Sequence, residues 1–99
     1  MKSWPLEAVE TEMRRLKALQ YLASVPGYEA AAHVLTMNSR RIGVPTTSDQ
    51  MAGCLAWLAE MELVVLRTYH NEPIAKLTPA GRDVACGNKV VPGVLRPDP

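Results

Sequence analysis

The sequence predicts a mainly α-helical domain carrying one small β-hairpin, on three observations. Apolar residues recur at three- and four-residue steps through the first half of the chain. The run Leu63-Val64-Val65-Leu66-Arg67-Thr68-Tyr69 breaks that period with aliphatic and β-branched residues, as strands do. Thr47 and Thr78, both good helix caps, stand immediately ahead of helical patterns.

Leu6, Val9, Met13, Leu16, Leu19 and Leu22 form the stripe of a first helix, over about 6–25, with Glu7, Glu10, Arg14 and Lys17 on its other face. Pro5 suits its first turn, and Pro26-Gly27 stops it. A second helix is expected from about Glu29 to Arg41, with Ala31, Val34, Leu35 and Asn38 along one side. Gly43 caps it and Pro45 prevents its resumption. The short link to the next helix makes a tight helix-turn-helix. For the third helix, Thr47 and Gln50 form a capping box, and Asp49 complements the helix dipole. Met51, Leu55 and Leu58 are its buried stripe, flanked by Cys54 and Trp57, and it ends near Met61 or Glu62.

The strand Leu63–Tyr69 is expected to turn at His70-Asn71-Glu72-Pro73 and return as Ile74–Leu77. Thr78-Pro79 opens a short closing helix that runs to Cys86 and ends at Gly87. This gives a domain over 1–89 and a Pro-rich extended tail over 90–99. The tail holds three prolines, yet Val90, Val91, Val94 and Leu95 make it more apolar than a free linker, so part of it is expected to dock.

At 99 residues the chain suits one domain. Apolar residues are 47% and charged residues 21%, a globular balance. With no phenylalanine, the core rests on Leu, Val, Ala, Met and the tryptophans Trp4 and Trp57. The net charge of +1 and pI of 7.8 lend no support to nucleic-acid binding, since dedicated domains often exceed a pI of about 9. Cys54 and Cys86 lie far apart, so no disulfide framework is expected and a reduced, cytoplasmic setting is. Glutamates in MKSWPLEAVETEM replace the apolar run of a signal peptide, and no stretch is long and apolar enough for a membrane span.

Helix, helix, helix, hairpin, helix is the winged helix-turn-helix order. The stretch SDQMAGCLAWLAEMELVVL, followed by the hairpin and LTPAGRDVACG, resembles the recognition helix, two-stranded wing and closing helix of winged-helix regulators. The whole chain, ending in VPGVLRPDP, resembles small proteins of Mu-like prophages that are grouped with ArsR-like transcriptional regulators. The resemblance implies a fold and a phage origin. It implies little about mechanism, because a fold does not dictate a function.

A winged helix that reads DNA places its third helix in the major groove and its wing on the backbone. Here the exposed face of that helix is expected to be Ser48, Asp49, Ala52, Gly53, Ala56 and Glu60. From Ile42 to Leu66 there is no Lys or Arg, while Asp49, Glu60 and Glu62 give a formal charge of −3. Base reading needs Arg, Lys, Asn or Gln. Ala52 and Gly53 leave room for a close approach, by a groove wall or by another protein helix. Alternatively, Gly53 relieves a clash inside the domain.

Arg40 and Arg41, and Arg67 and Lys76 at the wing, are candidates to grip phosphates. Ser48 and Gln50 are the best candidates for base contact, with helix capping as their other role, and Thr47, the cap of that helix, is counted with the DNA-facing residues. Arg14, Arg15 and Lys17 are expected to be a solvated surface. No catalytic residue, metal site or cofactor is expected. Cys54 is alone on its helix, and His33 and His70 are far apart without acidic or cysteine partners at ligand spacing.

Two readings remain open: a phage-encoded DNA-binding regulator, and an interaction or assembly module of the same fold. A homodimer is expected in either case, with helix one, including Tyr21, as a surface for it. The small-residue face of helix three is a surface for another protein partner.

Overall fold

The computed structural model describes residues 6–97. Trp4 and Pro5 lie outside the described residues. Four helices and a three-stranded antiparallel sheet follow in the order α1 (Leu6–Ser24), β1 (Glu29–Ala31), α2 (Ala32–Arg41), α3 (Ser48–Glu60), β2 (Val64–Tyr69), β3 (Glu72–Leu77) and α4 (Pro79–Cys86). Leu19, Leu22, Leu35, Met51, Leu55, Leu58 and Leu63 are almost wholly enclosed, so α1, α2, α3 and the strand entry meet in one core, which Val84 and Ala85 of α4 join.

The local signals at helix ends hold. Thr47 Oγ1 accepts from the Gln50 N–H, and Gln50 Oε1 accepts from the Thr47 N–H, completing the capping box of α3. Thr78 Oγ1 accepts from the Gly81 N–H, and Gly87 ends α4 with a φ of 85°.

The second helix starts later than expected. Glu29-Ala30-Ala31, good helix formers by local propensity, pair instead with Lys76, Ala75 and Ile74 of β3. The two-stranded wing is therefore corrected to a three-stranded sheet, ordered β1-β3-β2. The entry to α2 has no capping side chain of its own. Glu72, at the start of β3, supplies one: its carboxylate accepts from the His33 N–H at 2.9 Å and also meets the His33 ring. A carboxylate on the first turn of a helix satisfies an orphan N–H and complements the dipole.

The hairpin turn is also tighter than expected. His70 and Asn71 alone form it, with φ of 51° and 64°, the backbone of a type I′ turn. Glu72 and Pro73 belong to β3 and face Tyr69 and Thr68. Pro73 lies beyond the last β1 pair, where β3 is itself an edge and a missing N–H is tolerated.

The tail docks on its own domain. Val91 and Val94 join the core, and Leu95 packs against it. The Leu95 N–H donates to the Glu12 carbonyl, and an Arg15 Nη1 donates to the Gly93 carbonyl. The same guanidinium stacks 4.0 Å from the centre of the Trp57 ring. Gly93 lies so close to that ring that a Cβ would fall 2.6 Å from it.

Candidate nucleic-acid interface

The outward face of α3 is as bare as the sequence indicates. Ser48, Asp49, Ala52, Gly53, Ala56 and Glu60 are all exposed. A Cβ added at Gly53 would meet nothing within 4 Å, so the glycine relieves no clash inside the domain. Thr47 and Gln50 are engaged with each other in the capping box, which leaves Ser48 as the one uncommitted hydroxyl at this helix start.

The arginines around that face are held by the protein. Arg40 Nε donates to the Thr46 carbonyl at 2.7 Å, across the turn between α2 and α3. Arg41 reaches only Asn38 on its own helix, at 3.2 Å, and stays exposed. On the sheet, Arg67 Nε donates to a Glu29 carboxylate oxygen at 3.0 Å. The hydrogen bond from Arg67 is the main cause that lowers the Glu29 pKa, and Lys76 contributes through its charge. Lys76 lies directly opposite Glu29, so Arg67 and Lys76 share one acid on one face of the sheet. Two cations and the carboxylates of Glu29 and Glu72 leave this small sheet with no formal excess of positive charge.

Arg14 corrects the expectation of a solvated cluster on α1. It is 3% exposed, and it donates from Nε to Thr46 Oγ1 and from Nη2 to the Pro45 carbonyl. Arg14 and Arg40 thus clamp the same turn from two helices. The turn asks for such donors, because Thr46 and the carbonyl of Pro45 must find partners outside any helix or strand. The sequence signal for it is weak: Arg14 shares a helical stripe with Ala18, a buried small residue one turn on. Arg15 is likewise drawn inward, onto Trp57 and Gly93.

Among the described residues, no three His, Cys, Asp or Glu side chains are grouped to hold an ion. Cys54 is buried, and burial pushes its thiol up to about 11, so it carries no thiolate at neutral pH. No described helix is long and apolar enough to cross a membrane.

Comparison with known proteins places these features in a phage context. No protein-family model matches the chain, and no solved structure matches it. The chain is similar to uncharacterized protein gp26 of Escherichia phage Mu, 36% identical over 89 residues that cover 90% of this chain and 92% of that protein.

Proposed function

The chain belongs to the family of the phage Mu protein gp26, and from that premise we propose that it is a winged-helix interaction module whose third helix engages a protein surface. One observation carries the reading. The helix that would enter a DNA groove presents Ala52, Gly53, Ala56, Asp49 and Glu60 outward, with no cation among them. Beside a polyanion, two carboxylates and no Arg, Lys, Asn or Gln on that face oppose binding. The sheet that would lie on the phosphate backbone exposes Val65 and Tyr69, each 60% exposed, and ties Arg67 to Glu29. Against a protein, the same small residues permit two backbones to approach closely, and apolar exposure becomes an asset.

A second reading has its own support. The order α1-β1-α2-α3-β2-β3-α4 resembles that of ArsR-like winged-helix regulators, and Arg41, Ser48 and Lys76 are exposed where a duplex would meet α3 and the wing. In that reading the protein is a phage transcriptional regulator that grips phosphates more than it reads bases.

DNA binding measured against salt separates the two. The interaction module gives no retained DNA at low salt, on random or phage sequence. A regulator gives a log–log slope of about −0.9 per neutralised phosphate, flattened in the Arg40→Ala, Arg41→Ala, Arg67→Ala triple variant. Such a slope overturns the first reading.

A further inference from the structure

We propose that β2 is a self-pairing edge, through which two copies of this chain join their sheets into one six-stranded sheet about a two-fold axis. The edge itself specifies what covers it. β2 ends the strand order β1-β3-β2, so its outer row of N–H and C=O groups has no strand partner among the described residues. Water solvates such a row, and another extended chain can pair it directly. The opposite edge is protected: β1 has three residues and runs straight into α2. β2 has six residues, no proline, and exposed Val65, Leu66 and Tyr69. A free edge of this composition is one that folded proteins blunt or pair.

Two details point to a second copy as the occupant. The first is the single charge on the strand. Arg67 would repel its own copy across a two-fold, but its guanidinium is drawn away from the edge, over β3, to Glu29 on β1. The second is an open groove alongside the edge, mostly apolar through Ala59, Leu66, Pro79 and Ala80, with Glu62 and Thr78 also on its lining. Leu66 lies opposite the fully buried Ala75, so it points to the core side of the sheet and hangs over that groove.

Register follows from symmetry. A two-fold perpendicular to the sheet keeps each face on its own side, so the axis passes through a residue that meets its own copy. Centred on Arg67, it sets two guanidiniums opposite each other. Centred on Leu66, it sets Leu66 against the partner's Leu66 over the paired grooves. Val65 then meets the partner's Arg67 on the solvent face, and Val64 meets the partner's Thr68. The second register joins Leu66 to its own copy and avoids the direct clash of charge. The first helix offers less: Leu16, Leu19 and Leu22 of its stripe are buried in the protein's own core.

The test uses the full chain and reads mass without DNA. Light scattering at tens of micromolar is expected to give the dimer mass. Leu66→Lys, which sets two like charges on the axis, is expected to raise the dimer Kd at least about tenfold. Circular dichroism checks that the variant stays folded. Val65→Lys, at an exposed position on the solvent face, gives the same reading if Leu66→Lys does not fold. Glu29→Gln frees Arg67 to swing back to the edge and is expected to weaken the dimer as well.

Register is tested by Leu66→Cys in a Cys86→Ser background. Directly opposite residues in antiparallel strands stand about 4.5–5.5 Å apart at Cα, within disulfide reach. Mild oxidation should therefore cross-link Leu66→Cys and leave Thr68→Cys uncross-linked. A monomeric wild-type chain, a dimer indifferent to both lysine variants, or a dimer that Leu66→Cys fails to cross-link each overturns the proposal. A dimer that binds DNA leaves it standing and removes the interaction-module reading, so the two failures are distinguishable.

Discussion

Two glycines in helices should respond to the same substitution with opposite signs. Gly53 lies in the middle of α3 and Gly81 near the start of α4. Local propensity alone makes Gly→Ala favourable at either position, by roughly 0.5–1 kcal/mol in a helix interior. The surroundings differ. At Gly53 a new methyl meets nothing within 4 Å, so the propensity gain stands undiminished. At Gly81 the Cβ would fall 2.2 Å from the Leu63 carbonyl oxygen and 2.7 Å from Leu77 Cδ1. The Leu77 methyl is the end of a side chain and can turn aside. The Leu63 carbonyl is backbone, and it accepts the Thr78 N–H at 3.1 Å. Moving it disturbs the junction of α3, β2 and α4 together. Overpacking of this kind costs about 1–3 kcal/mol. For a chain of this size each kcal/mol shifts the melting temperature by about 4–8 °C. Thermal unfolding followed by circular dichroism, at one fixed protein concentration, should show Gly53→Ala raising Tm by several degrees and Gly81→Ala lowering it. Shifts of the same sign would refute the assignment of α4 packed tightly on the carbonyl of Leu63. Because Gly53→Ala stabilises the isolated chain, any affinity it loses for a partner reports the close approach that a bare α3 face permits.

Other outcomes follow from single contacts. Arg14→Met removes the donor to Thr46 Oγ1 and Pro45 from a buried site, and should cost about 1–3 kcal/mol in urea unfolding; a smaller loss would mean the clamp on the turn is idle. Glu72 is held below the usual carboxylate range, first by the hydrogen bond from the His33 ring and then by that from the His33 N–H. A depressed folded value means stability that is present above the unfolded pKa, about 4.3, and lost as pH falls through the folded one. Tm should therefore drop more on going from neutral pH to about pH 3 in the wild type than in Glu72→Gln, and equal drops would exclude the tertiary cap. Cys86 is exposed while Cys54 is buried with its thiol pushed up to about 11, so a thiol reagent at neutral pH should titrate one fast group that disappears in Cys86→Ser. A fast group surviving in that variant would show that Cys54 is accessible.

What the sequence alone determined was set by neighbours in the chain. The Thr47–Gln50 capping box, the Thr78-Pro79 start, the glycine stops and the core stripe Met51-Leu55-Leu58 are all local, so residue identity and spacing suffice to place them. The bare, acidic face of α3 was legible for the same reason, since a helix start and a period of 3.6 fix which residues face outward. What only the tertiary structure decided depends on partners far along the chain. Glu29-Ala30-Ala31 reads as helix until β3, more than forty residues on, offers Lys76, Ala75 and Ile74 as a ladder. Glu72 reads as a turn residue until it caps α2 at His33. Arg14 reads as a surface cation, and Arg40 and Arg67 as phosphate grips, until Thr46, Pro45 and Glu29 are brought to them. Propensity differences of a few tenths of a kcal/mol per residue yield readily to pairing and burial. The fates of Arg14 and Arg67 were decided by long-range contacts that no local pattern encodes.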